Sequence, residues 1–277
     1  MRRGLAPAPR ISAVGEELES LIRATRRPVR NLGRVTHRVT IDGRFNGPPG
    51  SGNGGYTCGL LANFIDGPAE VSLRTPPPLD RELVVERSGD RAALYDGETL
   101  VAEAEPATLD EEPPTLVPLE VAEHAATASM FLDQRHPFPT CFVCGPRRAP
   151  EDGLRIFAGP VRERELYASP WTPSPALRDA AGELPDELIW AALDCPTSAP
   201  LWNEPDAEGN FLPLVLARLQ VLLYGPVELG KTHVITSWPI SIDGRKRRAG
   251  AALFSPSGDL LAESRALWIE LRAPQAA

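Results

Sequence analysis

Hydrophobic and polar residues alternate along several short stretches of this chain, and a period of two is typical of strands with one buried face. In the first half, strands are predicted at residues 35–41, 70–75, 83–88, 91–95 and 100–109. In the second half, strands are predicted at residues 154–157, 165–169, 216–223, 232–238, 248–254 and 260–271. Their close spacing along the chain predicts two antiparallel sets of strands.

Each half also contains one predicted helix ahead of most of its strands. Residues 56–65 are apolar on nearly every side, which indicates a helix buried in a core. Residues 188–195 predict the second helix, which Pro196 should end because proline cannot continue a helix. An amphipathic helix is also predicted at residues 11–30, with Ser12 as its cap.

The two halves repeat a sequence pattern. Residues 92–104 read AALYDGETLVAEA and residues 251–264 read AALFSPSGDLLAES, with the difference in length in a turn. Upstream, residues 73–86 have a counterpart in residues 222–236. A helix followed by antiparallel strands, present twice, predicts an α+β fold with two copies of one domain, each sheet wrapped around its own helix. Any functional site should then lie between the copies.

The repeat and the local composition divide the chain into four predicted segments. Residues 110–140 are acidic and rich in proline, with a short helix around residues 119–130, and they separate the two copies. The predicted segments are an N-terminal helical extension at 1–33, a first domain at 34–110, a linker with a short helix at 111–139, and a second domain at 140–272.

The overall composition is that of a globular protein, because 42% of the 277 residues are hydrophobic and 24% are charged. No apolar run is long enough to span a bilayer, and no apolar segment follows the two basic residues near the start, so we expect a cytoplasmic protein. A net charge of −8 argues against a nucleic-acid partner, which requires a basic surface. The 4 cysteines do not suggest a disulfide framework.

Two glycine-rich motifs match nucleotide-binding patterns but lack the context that those patterns need. Residues 225–232 have the spacing of a phosphate-binding loop, yet Pro226 has no amide hydrogen and Glu228 would place a carboxylate beside the phosphate. A strand, not a helix, is predicted to follow. Residues 50–55 match the dinucleotide-binding glycine pattern, but antiparallel strands and no β-α-β unit follow them. We therefore expect neither type of nucleotide cofactor.

Three segments carry a resemblance to a known family. Residues 53–56 read Asn-Gly-Gly-Tyr and resemble the His-Gly-Gly start of a hotdog helix, and residues 141–146 read Cys-Phe-Val-Cys-Gly-Pro and resemble the opening of many such domains. Residues 188–194 read Leu-Ile-Trp-Ala-Ala-Leu-Asp and resemble the acidic helix turn of phenylacetate-type thioesterases. Over residues 34–109 and 140–271 the chain thus resembles a double-hotdog protein of the acyl-CoA thioesterase superfamily, which implies a tandem hotdog fold.

The resemblance implies that the catalytic groups are divided between the two copies. In such proteins a backbone amide at the helix start polarises the thioester carbonyl, and a carboxylate further along acts as base or nucleophile. The first copy has Gly54 and Gly55 but Ala62 at its acid position, whereas the second has Asp194 but Pro185 at its glycine position. One composite site is predicted, with the Gly55 amide as oxyanion donor, although the glycines would also suit a tight turn alone. The symmetry-related site should be inactive.

Other residues are predicted to bind the substrate, and several have a structural alternative. Asn53 either hydrogen-bonds the substrate or caps the helix. Trp190 either lines an acyl pocket or belongs to the core. Tyr56 is also predicted to bind the substrate. Asp194 has the alternative of a buried acid that bonds an amide or arginine structurally. The basic run at residues 245–248 either binds the phosphates of coenzyme A or guards a sheet edge against aggregation. This run consists of Arg245, Lys246, Arg247 and Arg248.

Cys141 and Cys144 form a lone Cys-x-x-Cys pair. A zinc site would need two more ligands, and only His124 and His136 lie nearby in the sequence. A redox pair would call for a helix N-terminus, whereas the Pro-Arg-Arg that follows predicts a loop. Small buried thiols are the simpler interpretation, as they are for the other two cysteines on predicted helices. We expect neither a metal nor a cofactor.

The predicted function is hydrolysis of an acyl-CoA or acyl-pantetheine thioester at the composite site. The alternative is a protein that binds or senses acyl-CoA without catalysis, which the missing His-Gly-Gly beside Asp194 and the missing acid in the first copy favour. The histidine and acid pattern of hotdog dehydratases is not found, so hydration of enoyl thioesters is less favoured, and a purely structural or interaction role ranks third. A fused pair already satisfies the usual hotdog dimer, so the chain is expected to be a monomer or to associate further.

Overall fold

The computed structural model describes residues 35–109, 113, 116–202 and 211–271, and the N-terminal extension predicted at residues 1–33 lies outside them. The strands of the first half are β1 (Val35–Thr40), β2 (Ala69–Leu73), β3 (Glu82–Ser88), β4 (Arg91–Asp96) and β5 (Thr99–Pro106). The strands of the second half are β6 (Gly159–Pro160), β7 (Tyr167–Trp171), β8 (Leu214–Leu223), β9 (His233–Asp243), β10 (Lys246–Phe254) and β11 (Leu260–Glu270). The α-helices are α1 (Gly54–Ala62), α2 (Leu119–Ala126), α3 (Asp186–Ala192) and α4 (Cys195–Ser198).

The two halves contribute equivalent strands to one 11-stranded sheet. From its outer edge inward, the first half has the order β1-β3-β4-β5-β2, and the second has β7-β9-β10-β11-β8, with the short β6 beyond β7. The repeated sequences form the equivalent hairpins β4–β5 and β10–β11. The halves meet where β2 pairs antiparallel with β8, for example at Glu70 opposite Gln220. The same strand order thus lies on each side of a central antiparallel pair.

Helix α1 packs on the sheet and against the helix of the other half. It is apolar on nearly every side and mostly buried, as its sequence predicted, and it contacts β2, β4, β5 and β8. It meets α3 at two glycines. A Cβ on Gly59 would lie 2.5 Å from Glu187 Cα, and a Cβ on Gly55 would lie 2.8 Å from the carbonyl oxygen of Trp190. Because glycine has no Cβ, the two helices approach closely at these positions.

One hydrophobic core extends through both halves. Leu61 and Leu94 of the first half and Leu219 and Leu253 of the second are fully buried in the same cluster. A smaller cluster holds α2, the helix predicted for the linker, against β7 of the second half. None of the described helices has the length and apolarity that crossing a membrane requires.

The helix predicted at residues 188–195 is split in two. Helix α3 ends at Ala192, Asp194 has a non-helical backbone (φ −76°, ψ −82°), and α4 begins at Cys195. Pro196 therefore lies in the first turn of α4, where an N–H group would have no partner within the helix, so the missing N–H costs no hydrogen bond. The prediction that Pro196 ends a helix is wrong. The strand predicted at residues 154–157 is also absent from this described segment, and β6 lies just beyond it.

Candidate active site

Asn53 fixes the start of α1. Its Oδ1 accepts a hydrogen bond from the Tyr56 amide at 2.8 Å, so the capping role that the sequence left open is present in the structure. The residue is buried, with 2% exposed. Because the cap uses only Oδ1, the Nδ2 group can donate to a second partner.

Asp194 lies in the break between α3 and α4 and reaches the start of α1. Its Oδ2 accepts hydrogen bonds from Asn53 Nδ2 at 2.8 Å and from the Gly55 amide at 2.9 Å. The residue is 2% exposed, and no described residue donates to its other oxygen, Oδ1. The structure therefore brings the predicted acid of the second half to the predicted glycines of the first.

The Gly55 amide has a different partner from the one predicted. It donates to Asp194 and is not left for a substrate carbonyl, because the break after α3 places the carboxylate at the amide end of α1, where negative charge is favoured. Gly54, one residue earlier, lines the neighbouring cavity, and its amide has no acceptor within the described parts of the chain. Gly54 is thus the better placed amide donor for a bound oxygen.

Burial raises the pKa of Asp194 to about 7, because removal from water disfavours the charged carboxylate. The hydrogen bond from Gly55 opposes this rise, the charge of Cys141 adds to it, and the hydrogen bond from Asn53 opposes it. A carboxyl group that titrates near neutrality and has one oxygen without a partner is able to accept and return a proton.

A cavity of about 490 Å³ lies beside Asp194, within the size range of small-molecule sites. Both halves and the segment between them contribute to its wall, which is largely apolar. Its apolar lining includes Leu73, Phe131, Phe138, Trp202, Leu216 and Trp268. The polar lining includes Asn53 and Asp194, which are hydrogen-bonded to each other, and also Arg74, Thr75, His136 and Ser198.

A second cavity, of about 430 Å³, is lined by charged residues of the sheet. These charges pair with one another: Arg74 lies 2.7 Å from Glu103, and Arg218 lies 3.0 Å from Glu70. The Arg74–Glu103 pair is exposed and of a kind that is common at protein surfaces, whereas Glu70 of the other pair is partly buried. The first cavity is therefore the candidate site.

Tyr56 and Trp190, which were predicted to bind the substrate, are not among the residues that line this cavity, and Trp190 has the core position that the sequence left as its alternative. Tyr56 is 7% exposed and stacks on Phe45 with 4.0 Å between ring centroids. Trp190 is 3% exposed and packs against Gly59 where α1 meets α3. Both aromatic side chains serve the packing of the helices, because the apolar helix α1 is covered on all sides.

The basic run at residues 245–248 spans the β9–β10 turn and the start of β10, and none of its members lines the cavity. Arg247 is buried and pairs with Glu270, so its role is structural and not the phosphate contact predicted for it. The other three residues are exposed. Lys246 pairs with Ile269 across the β10–β11 ladder, and Ile269 lines the cavity. The exposed part of the run is thus one strand away from the cavity wall.

Sequence analysis missed several residues of the cavity wall. His136 and Phe138 belong to the predicted linker, and Cys195 was interpreted as a core thiol. The Sγ atoms of Cys141, Cys144 and Cys195 lie within 4.8 Å of one another, which makes them a candidate metal-ligand set. The only available signal was that Cys195 directly follows the predicted acid.

No protein-family model matches the sequence, and no curated protein matches it. Solved structures do match. An acyl-CoA thioesterase II from Mycobacterium marinum is 14% identical, with a TM-score of 0.52 over 82% of this chain and 92% of that chain. A conserved protein of unknown function with a hot dog fold from Alicyclobacillus acidocaldarius is 13% identical, with a TM-score of 0.53 over 87% of this chain and 94% of that chain. A variant of the GphF dehydratase is 16% identical, with a TM-score of 0.56 over 87% of this chain and 95% of that chain.

At these identities the likeness concerns the fold. The large antiparallel sheet with helices packed on it agrees with the match to a hot dog protein. The chain therefore has the hotdog fold that its sequence predicted.

Proposed function

We propose that the chain is a tandem hotdog protein that hydrolyses an acyl thioester in the cavity beside Asp194. The proposal depends on one observation: the buried Asp194 carboxyl group belongs to the cavity wall, with Oδ2 held by Asn53 and Gly55 and Oδ1 without a described partner. The equal strand orders of the two halves support the tandem arrangement. The shared fold of the acyl-CoA thioesterase II supports hydrolysis as the reaction class.

The cavity is suited to a thioester with an apolar acyl group. Leu73, Leu216 and Trp268 provide apolar walls for the acyl chain, whose burial favours binding. The thioester carbonyl then lies beside Asp194, where its oxygen accepts a hydrogen bond from the Gly54 amide at the start of α1. Helix amides at this position favour the negative charge that develops on the oxygen.

Asp194 acts as a general base in this mechanism. Oδ1 takes a proton from a water molecule while the water oxygen forms a bond to the carbonyl carbon. The resulting oxyanion is stabilised by the Gly54 amide. Its collapse breaks the carbon–sulphur bond, and the proton passes from Asp194 to the departing thiolate, so the products are a carboxylic acid and a thiol. Asn53 and Gly55 keep Oδ2 fixed and so hold Oδ1 in place.

Dehydration of a hydroxyacyl thioester is less well supported by the geometry, although a dehydratase shares the fold. That reaction calls for a second acid–base group beside the carboxylate. His136 is the imidazole in the cavity wall, but its Nδ1 accepts from the Phe138 amide at 3.0 Å and its Nε2 lies 3.3 Å from Cys144 Sγ. Both ring nitrogens are therefore engaged, and hydrolysis with Asp194 alone is the simpler chemistry.

The test is turnover of a panel of acyl-CoA thioesters by the full chain. Turnover is measured as the loss of thioester absorbance, because reagents that detect free thiols would also react with the cysteines of the protein. We expect Asp194→Asn to lower kcat by about 10²- to 10⁴-fold with little change in KM. Asparagine can still accept the hydrogen bonds that Oδ2 receives, so the fold should be kept. Asp90→Asn, at an exposed carboxylate in the turn between β3 and β4, is the matched control and should leave kcat unchanged.

Two outcomes contradict the proposal. Wild-type kcat in Asp194→Asn would remove the carboxylate from the mechanism. Saturable binding of acyl-CoA without turnover of any member of the panel would favour the non-catalytic alternative, and circular dichroism of each variant establishes that it is folded.

A further inference from the structure

Three cysteines from two separate segments meet beside the cavity. The Sγ atoms of Cys141, Cys144 and Cys195 lie within 4.8 Å of one another, and all three residues are buried. The Sγ atoms of Cys141 and Cys195 are 3.7 Å apart. A tetrahedral zinc ion with Zn–S bonds of about 2.3 Å holds its sulphur ligands about 3.8 Å apart. The separation of this pair is therefore compatible with a shared ion.

A tight turn closed at Gly145 contains the first two cysteines. The Gly145 amide donates to the Cys141 carbonyl oxygen at 2.9 Å, and a Cβ on Gly145 would lie 2.4 Å from that oxygen, so the turn requires glycine. Zinc binds the thiolate form of cysteine, so the three thiols would release their protons when the ion binds.

We propose that Cys141, Cys144 and Cys195 bind one zinc ion through their sulphur atoms, in the wall of the cavity. Thiolate ligands select zinc over the oxygen-seeking ions magnesium and calcium. Three buried thiolates would repel one another without a cation, whereas a divalent ion offsets two of the three negative charges. The sequence alone offered only the Cys-x-x-Cys pair, and the third sulphur comes from the residue directly after Asp194.

His136 supports the site as a hydrogen-bond donor and not as a ligand. Its Nδ1 accepts from the Phe138 amide at 3.0 Å, so a neutral ring carries its proton on Nε2. That nitrogen lies 3.3 Å from Cys144 Sγ and donates to it. All three cysteines line the cavity, so the fourth position of the ion is left to water on the cavity side.

The site also connects the two halves of the chain at Asp194. Cys195 begins α4 immediately after Asp194, and Asn53 Nδ2, which donates to Asp194, is 3.9 Å from Cys141 Sγ. An ion bound here fixes the break between α3 and α4. Zinc binding itself does not depend on the proposed hydrolysis, and it can be measured without any assay of activity.

The first test is elemental analysis of the full chain purified without metal-chelating resin. We expect about one zinc ion per chain, and less than a tenth of that in Cys141→Ala, Cys144→Ala and Cys195→Ala. Cys58→Ala is the matched control, because Cys58 is equally buried but lies in α1 outside the cluster, and it should keep the full zinc content. His136→Asn should keep the stoichiometry and lose about 10- to 100-fold in affinity.

A second measurement keeps the proposal testable if a cysteine variant fails to fold. Cobalt(II) added to the metal-free wild-type chain should produce sulphur-to-cobalt charge-transfer absorption that saturates at one equivalent. Absence of both zinc and this absorption in the reduced protein would overturn the proposal. So would an intact mass two hydrogens lighter, which would show that two of the sulphurs form a disulfide. Loss of all zinc in His136→Asn would overturn its assignment as a donor and make it a ligand.

Discussion

Asp194 and Gly55 belong to different halves of the chain, and the carboxylate of one accepts the amide hydrogen of the other at 2.9 Å. Contact this close requires the absence of a side chain at residue 55, because a Cβ there would lie 2.4 Å from Asp194 Cβ. The glycine that sequence analysis assigned to substrate activation therefore has a steric role. It allows the end of α3 to reach the start of α1 and so joins the two halves at the proposed site.

Gly55→Ala tests this close approach. We expect the free energy of unfolding to fall by about 1–3 kcal/mol. The new methyl group would lie 2.8 Å from Trp190 O and 3.0 Å from Ala191 Cα, and these backbone atoms cannot move away by a change of rotamer. Urea denaturation measures the change. Gly225→Ala is the control, since its Cβ would lie 3.6 Å from its nearest neighbour, Leu261 Cδ2, and it should change stability by less than about 0.5 kcal/mol. Equal stability of the two variants would contradict the packing described here.

Asn53 combines a cap for α1 with a donor to Asp194, and two substitutions separate these roles. Serine is a good N-cap but is too short to reach Asp194 as asparagine does, so Asn53→Ser should keep the stability and lower kcat for thioester hydrolysis by about tenfold. Asn53→Ala loses both roles and should also cost about 1 kcal/mol of stability. Urea denaturation and steady-state kinetics on both variants provide the measurement. Wild-type kcat in Asn53→Ser would show that the bond to Asp194 does not position the carboxylate.

The fold was accessible from the sequence because its signals are local. Alternating polarity in residues 92–104 and 251–264 marks the hairpins β4–β5 and β10–β11, and their similarity indicated equivalent halves. The apolar surface of α1 likewise indicated that it is buried. Such patterns can be recognised from residues that are close in the sequence, without knowledge of the tertiary contacts.

The details of the site depend on contacts between distant residues, and these left no local pattern. Pro196 is compatible with the end of one helix or the first turn of another, so the break at Asp194 was not predictable. That break brings the carboxylate to Gly55, which lies 139 positions away, and uses the amide expected to be free. The meeting of Cys141 with Cys195, 54 positions apart, follows from the same break.

The exposed basic residues at 245–248 make a prediction about the carrier of the acyl group. Lys246 is exposed and lies opposite Ile269 of the cavity wall, and its contact with the phosphates of coenzyme A stays a prediction. We expect Lys246→Glu to raise KM for acyl-CoA by about tenfold, through loss of a charge-assisted contact and added repulsion. KM for the matching acyl-pantetheine, which lacks the nucleotide phosphates, should not change.

Steady-state kinetics with both substrates at two salt concentrations measure this effect. Arg164→Glu makes the same change of charge in the exposed loop between β6 and β7 and should leave both KM values as in the wild type. An equal rise in KM for both substrates would show that Lys246 acts on the cavity and not on the phosphates.

His233, at the start of β9, is a buried imidazole with an incomplete set of partners. It is 0% exposed, its Nδ1 lies 2.9 Å from the carbonyl oxygen of Lys231, and no described residue bonds its Nε2. Burial lowers the pKa of His233, because a charged ring is disfavoured away from water. The folded state therefore binds a proton less readily than the unfolded chain, in which a histidine has a pKa of about 6.5.

This difference predicts how stability depends on pH. Because the unfolded state takes up this proton first, the contribution of His233 to the free energy of unfolding should fall as the pH decreases below about 6.5. His233→Gln keeps a polar side chain but has no titratable ring, so we expect it to remove part of this decline between about pH 7.5 and pH 5, measured by urea denaturation. His124→Gln, at an exposed position in α2, is the control and should retain the wild-type dependence. The same pH dependence in His233→Gln and the wild type would show that the buried ring is not the group that resists protonation.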